Sequence, residues 1–339
     1  MDSFKIIVAG CGGMSNTWLD YATKREDVEI VGLVDVNIAA ARKMAERRNL
    51  KVPAFSDLAQ AIEETKANLV FDVTIPAAHK QIVTTALKTG CHVFGEKPMA
   101  ESLEDAETVL QVADQSGKRY AVMQNRRYLK QIRAFRAFLS NGTIGTVGSL
   151  HADFFIGAHF GGFRDVMDHP LILDMAIHTF DQARFISGAD PVSVYCHEYN
   201  PPGSWYKGNA SAICIFEMSD GSVFSYNGSW CAEGMNTSWE ADWRVTGSKG
   251  SACWDGNSNP TYEVIDSDQH SGFMNPMKKG EVECDWNGQE GHWGCLDEMF
   301  ASLKEDRRAE TDCHDNIESM KMVFGAIESA KTKQKILFK

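Results

Sequence analysis

The chain has 339 residues, 43% hydrophobic and 24% charged, the balance of an ordinary globular protein and not of a disordered or low-complexity one. At roughly 150 residues per domain it has room for about two domains. A net charge of −12 repels nucleic acid and anionic membrane surfaces, and no apolar run approaches the roughly 20 residues that span a bilayer. These features predict a cytoplasmic protein with neither nucleic acid nor membrane as a partner.

The first strand is expected at Lys5–Ala9, in which Ile6–Ala9 form an apolar run of the kind buried on both faces of a parallel sheet. Helix-like stretches (14–24, 38–48, 81–87, 103–113) then alternate with short apolar runs (30–34, 69–75, 91–94, 120–123). This rhythm predicts right-handed βαβ units wound into a doubly wound sheet. After Arg126 the texture changes. A strand is expected at Gly148–Phe155, one long helix at Pro170–Ser187, and β-rich runs with turn signals from Val192 to about Ile265. Helices return at Trp293–Leu303 and Asn316–Ala330. The predicted fold is α/β: a Rossmann domain over 1–125, then an α+β domain over 126–339 with a large, mostly antiparallel open-faced sheet. The closing helix, about 315–330, is a candidate to pack back on the Rossmann domain.

Twelve acidic residues against three basic ones lie between Glu281 and Glu318, a pattern expected of a solvated face. Nine scattered cysteines with no C-x-x-C spacing read as reduced, small apolar fillers. Seven of the eight tryptophans lie beyond residue 200, where sheet cores and interfaces are rich in them and where a sugar ring could also stack.

The sharpest local feature is Gly10-Cys11-Gly12-Gly13-Met14-Ser15, between the first strand and the first helix. The first two glycines of a dinucleotide fingerprint are present, and Ser15 takes the third place, which needs only a small side chain. A diphosphate would lie on the free N–H groups of that helix. Asp35 ends the second strand, 25 residues past Gly10. A carboxylate there accepts the ribose hydroxyls and repels a 2′-phosphate, so NAD is favoured over NADP. Lys97, in Gly95-Glu96-Lys97-Pro98, opens from a strand end into the ligand crevice. Asp174 and His178, four residues apart, share one helical face. A carboxylate beside an imidazole suits it to exchange protons near neutral pH. Such spacing also binds zinc, but no second ligand cluster accompanies it, and no metal is expected.

Together these motifs resemble the Gfo/Idh/MocA family of glucose–fructose oxidoreductases, inositol dehydrogenases and their relatives. The glycine fingerprint, the Glu96-Lys97-Pro98 triplet and the Asp174/His178 pair fall in its order, with Thr74-Ile75-Pro76 and His79 after the fourth strand. The resemblance implies hydride transfer between a nicotinamide and a carbinol carbon of a sugar, sugar derivative or inositol. Lys97 would bond the reacting oxygen, and His178, oriented by Asp174, would take the hydroxyl proton. Gly10, Cys11, Gly12, Gly13, Met14, Asp35, Thr74, Pro76, His79, Glu96, Lys97 and Arg164 are the implied cofactor contacts. Asn125, Arg127, His159, His169 and His292 join the catalytic residues as candidate substrate contacts. The resemblance further implies a homodimer or homotetramer built through the C-terminal sheet. Ala176 stands where many members have glycine, and Asp168–Leu173 lacks their glycine-rich stretch, so the substrate loop is expected to be shaped differently. Two other outcomes share the fold: a glycoside-processing enzyme that recycles NAD, and a non-catalytic NAD-binding sensor.

Overall fold

The computed structural model describes residues 3–266 and 273–338. The chain divides into two units, one comprising Met1–Asn125 with Gln289–Met320 and the other Arg126–Gly288 with Lys321–Lys339.

In the first unit six parallel strands, β1 (Phe4–Ala9), β2 (Val28–Val34), β3 (Ala54–Phe55), β4 (Leu69–Asp72), β5 (His92–Gly95) and β6 (Tyr120–Val122), lie in the order β3-β2-β1-β4-β5-β6. The order reverses between β1 and β4, which opens a crevice beyond their carboxyl ends. The crossover helices are α1 (Ser15–Ala22), α2 (Ile38–Arg47), α3 (Leu58–Thr65), α4 (Pro76–Lys88) and α5 (Leu103–Ser116). Helix α3 falls outside the pattern expected from sequence. Its signal is local: the Asp57 carboxylate caps it by accepting from Gln60 N at 2.7 Å, ahead of buried Leu58, Ala61 and Ile62. Helix α4 begins five residues earlier than expected, because Pro76 fits a first helical position, where no N–H is required.

Helix α8 (Gly291–Lys304) returns to this unit and lays Phe300 against Phe4, Phe71 and Phe94, with ring centroids 4.9, 6.2 and 5.2 Å away. Trp293, on the same helix, meets Tyr21 edge-on at 5.6 Å, so this tryptophan belongs to the first unit. Thr311 and Asp312 pair with the free edge of β6: Val122 N donates to Thr311 O at 2.9 Å, and Ala121 bridges Asp312. A cut at residue 125 therefore leaves out part of the Rossmann unit's own core and edge.

The second unit is built on nine strands. β7 (Val147–Phe155), β8 (Pro191–Tyr199), β9 (Ser211–Met218), β10 (Val223–Ser229), β11 (Asp242–Gly247), β12 (Gly250–Trp254), β13 (Thr261–Ile265), β14 (Met277–Glu281) and β15 (Ile336–Leu337) run in the order β14-β13-β12-β11-β7-β10-β9-β8-β15. Pairing is antiparallel except between β7 and β10. Helices α6 (Lys130–Ser140) and α7 (Ile177–Ser187) belong to this unit; α6, also outside the expected series, buries Ile132, Phe135, Phe138 and Leu139 at helical spacing. The chain's longest helix, α9 (Cys313–Thr332), begins within the first unit and ends within the second. The expected long helix at Pro170–Ser187 begins as a π-helical turn, Leu171–Ala176, before becoming α7. Such wide turns concentrate at functional sites, and this one carries Asp174.

Candidate active site

In the first unit the glycine turn fits a dinucleotide. Gly10 has φ +89°, and a Cβ there would stand 2.5 Å from Val73 O, so only glycine lets β1 and β4 approach this closely. A Cβ on Gly12 or Gly13 would meet nothing within 4 Å, so their backbone faces open space, as a diphosphate cradle requires. Ser15, fully buried, donates its hydroxyl to Gly12 O at 2.6 Å. The small side chain in the third place thus braces the turn from within. Met14 is exposed at the mouth of α1.

Asp35 accepts from Cys11 N and Asn37 N, both at 2.9 Å, one on each carboxylate oxygen. Each oxygen keeps a second lone pair for a ribose hydroxyl. Burial, with the Asp35 charge adding to it, pushes the Cys11 thiol up to about 12. Cys11 is therefore a neutral packing residue whose backbone, not its sulfur, faces the site.

At the end of β4, Asp72 and His79 are fully buried and bond at 2.8 Å between Oδ2 and Nδ1, while Thr74 donates its hydroxyl to Asp72 Oδ1 at 2.6 Å. His79 has no exposed surface; it holds Asp72, which holds Thr74 and the turn into α4 at Pro76. Burial pulls the His79 imidazole down, but the Asp72 carboxylate outweighs it and the net shift is upward.

At the end of β5, Glu96 Oε1 accepts from Trp18 Nε1 at 2.8 Å and lies 3.8 Å from His292 Nε2. His292 Nδ1 lies 3.4 Å from Asn125 Nδ2. Glu96, Asn125 and His292 thus form one group beside Lys97 in the chain. Burial holds the His292 imidazole below its usual range, with Lys97 acting in the same sense against Glu96. Trp18 carries no motif; its only signal in sequence is a place on the buried stripe of α1.

In the second unit Asp174 Oδ2 accepts from Arg164 Nε at 2.5 Å. Arg164 lies on a 3₁₀ turn, Gly162–Val166, so the residue proposed for the cofactor instead meets the carboxylate expected to orient His178. His178, second residue of α7, is buried. Arg127, expected as a substrate contact, reaches Asp181 at 2.7 Å through its Nε and one terminal nitrogen in a buried two-point ion pair. His169 Nδ1 meets the buried Glu198 at 2.6 Å, and that hydrogen bond raises its proton affinity. His159 remains at the surface, stacked 3.6 Å from the Trp205 ring and paired with Glu233 at 2.8 Å.

Among the described residues, one group of three neighbouring side chains places candidate metal-donor atoms within 4.8 Å of one another: Asp312, Cys313 and His314. It includes none of the residues above, and its His314 already bonds Asp312 at 2.5 Å and Asp114 at 2.8 Å.

A doubly wound sheet with a glycine turn, a carboxylate at the end of its second strand and an open carboxyl edge defines an NAD-binding oxidoreductase fold. Comparison with known proteins agrees. Residues 4–124 match the model of an oxidoreductase family with an NAD-binding Rossmann fold, and residues 132–253 match the GFO/IDH/MocA C-terminal domain. The chain belongs to the GFO/IDH/MocA oxidoreductase family, whose members are NAD(P)-dependent enzymes. An uncharacterized protein of Sinorhizobium fredii is 28% identical over 98% of this chain and 95% of its own length. The myo-inositol 2-dehydrogenase of Thermotoga maritima is 26% identical over 56% of this chain and 57% of its own. Among solved structures, an oxidoreductase from Agrobacterium radiobacter bound to NAD+, L-tartaric acid and magnesium superposes with a TM-score of 0.85 at 19% identity, covering 99% of this chain and 98% of that one.

Proposed function

We propose that the protein oxidises a secondary alcohol carbon of a sugar, sugar derivative or inositol, using NAD. The observation that carries this reading is the joint presence of Lys97 at the end of β5 and of Asp174 one turn before His178, each matching the family's motif. Relatives named as dehydrogenases of myo-inositol and of D-glucosides support the same substrate class.

NAD, when bound, supplies the two-electron acceptor for the carbinol C–H. The protein's part is to manage the hydroxyl. His178, as neutral imidazole, accepts the hydroxyl proton, and the Asp174 carboxylate favours the imidazolium that results. The Lys97 ammonium bonds the oxygen as negative charge develops on it, which lowers the barrier where the charge is greatest. Glu96, which precedes Lys97 in the chain, ties the strand end to α1 through Trp18.

The outer face of the second unit's sheet exposes Tyr195, Tyr199, Ile213, Ile215 and Val223, with Tyr195 directly opposite Ile215. This apolar patch supports a homo-oligomer formed through that face. Nine free cysteines fit a reducing, cytoplasmic setting. Among the described residues no helix is long and apolar enough to cross a membrane.

The test is NADH formation across hexoses, pentoses, inositols and glycosides. Steady production with at least one, and a fall of about a hundredfold or more in Lys97→Met and His178→Gln with NAD binding intact, is the expected result. NADH that never accumulates while a glycoside is cleaved would overturn it in favour of NAD recycling. Binding without any turnover would reduce the protein to a sensor.

A further inference from the structure

The loop that follows β7 is pinned at its base and bare at its tip. Gly157 bridges Cys231, Tyr206 donates its hydroxyl to Ala158 O at 3.0 Å, and His159 is held between Trp205 and Glu233. Beyond these anchors Gly161 and Gly162, both at φ +71°, turn the chain so that Phe160 and Phe163 stand 53% and 56% exposed. Trp239, 44% exposed, lies with its ring 6.1 Å from Phe160, and buried Trp230 backs Phe160 at 5.6 Å. Leaving three large aromatic rings about half exposed costs hydrophobic free energy.

The Arg164 guanidinium packs against both phenyl rings, 5.1 Å from Phe160 and 4.7 Å from Phe163, while its Nε bonds Asp174. Among the described residues its terminal NH₂ groups have no other hydrogen-bond partner. Flat apolar rings beside a planar, part-exposed donor match the chemistry of a cyclic polyol, whose C–H faces are apolar and whose rim carries hydroxyls.

We propose that Phe160, Phe163 and Trp239 form a stacking platform for the ring of the substrate, so that the protein selects ring-form saccharides and cyclitols over open-chain polyols, and that Arg164 is the positioning residue coupling this platform to Asp174. This rests on the dehydrogenase reading above. A ring that presses on either phenyl group presses on the guanidinium between them, and the guanidinium fixes where the carboxylate stands. Open-chain polyols offer no flat face, so they lose the stacking and the coupling together.

The test compares the wild type with Phe160→Ala, Phe163→Ala, Arg164→Met and Arg164→Lys on myo-inositol, methyl glucoside and glucitol. The two phenylalanines are surface residues, so truncation leaves the core intact, which an unchanged melting temperature checks. Each Phe variant is expected to raise KM for the cyclic alcohols about tenfold and to lower their kcat as the coupling is lost, with the KM for NAD unchanged, and to leave glucitol unaffected. Arg164→Met is expected to lower kcat at least tenfold with little change in KM for NAD, and Arg164→Lys to recover part of the loss. If both Phe variants keep the wild-type KM for cyclic alcohols, the platform is refuted. If Arg164→Met raises the KM for NAD and spares kcat, Arg164 belongs to the cofactor instead. Should the wild type oxidise none of these three and none of the hexoses, pentoses, inositols and glycosides named above, the dehydrogenase reading is what has failed. Calorimetric titration of the same cyclic alcohols into the NAD-loaded wild type and Phe160→Ala then decides the platform: tenfold weaker binding by the variant supports it, and equal binding or none to either refutes it.

Discussion

Asp35 and Cys11 are joined by a 2.9 Å hydrogen bond from the Cys11 backbone N–H to Asp35 Oδ2. The residue proposed to read the ribose therefore also tethers the turn proposed to cradle the diphosphate. Hydrogen bonds to a charged group contribute about 1.5–3 kcal/mol. Asp35→Ser is accordingly expected to raise the KM for NAD by roughly 10- to 100-fold and to narrow its margin over NADP, since the repulsion of a 2′-phosphate goes too. Initial rates with both cofactors check this; an unchanged preference would remove Asp35 from the ribose site.

Gly10→Ala is expected to damage folding as well as cofactor binding. The φ of +89° and a Cβ placed 2.5 Å from Val73 O oppose any side chain. Strain of this kind costs on the order of 1–3 kcal/mol, and the end of β4 must also move. A lowered melting temperature together with weakened NAD binding in calorimetry is the expected pair of results. Loss of binding at an unchanged melting temperature would contradict the steric argument.

The buried Asp72–His79 pair carries a pH signature. Burial lowers the imidazole's proton affinity, Asp72 raises it, and the net is upward in the folded state. A folded pKa above the unfolded value of about 6.5 gives stability that is fully present below that pH and lost as pH rises through the folded pKa. His79→Gln should therefore cost more stability at pH 5.5 than at pH 9, as measured by urea denaturation at both. An equal cost at the two values would mean that the histidine is neutral throughout.

The Arg127–Asp181 pair tests whether Arg127 serves the core or contacts substrate. Breaking a buried ion pair typically costs about 3–5 kcal/mol, and the Arg184 guanidinium 3.8 Å from Asp181 keeps the cost to the lower part of that range. Arg127→Met should therefore lower stability by that order, and the double variant Arg127→Met/Asp181→Leu should recover much of it. A stable single variant with a raised substrate KM would restore the original expectation.

If the exposed face of β8 and β9 joins copies of the chain, Ile215→Glu should break the assembly. Light scattering on the eluting peak is expected to show a smaller particle, with the fold retained by circular dichroism. An unchanged mass would place the interface elsewhere.

The parts of the site legible in sequence are those whose geometry is local. Gly10, Gly12, Asp35 and Lys97 each mark a strand end, where period, turn and chemistry coincide within a few residues. Asp174 and His178 are four apart on one helical stretch. Contacts that close across long separations left no such trace. Trp18 reaches Glu96 over 78 residues and Asn125 approaches His292 over 167, and neither pair has a spacing rule to announce it. Arg164 and Asp174 are only ten apart, yet two glycines, a 3₁₀ turn and a π turn lie around them, and no regular periodicity survives such backbone. The burial of His79 and Arg127 is hidden for the opposite reason. Polar residues in a functional motif suggest exposure, but here each is buried against a carboxylate, and burial is a property of the finished fold.

The pairing of Thr311 and Asp312 with β6, and the cover that Phe300 gives to Phe71 and Phe94, have a consequence for how this chain comes into being. A ribosome that has released only the first 125 residues has made a sheet with a naked rim and an aromatic floor open to water, two invitations to stick to a neighbour. Both are withdrawn only after more than 160 further residues have emerged. A truncated Rossmann fragment should accordingly be recovered as aggregate, while the same fragment supplied with the segment 289–320 should stay in solution.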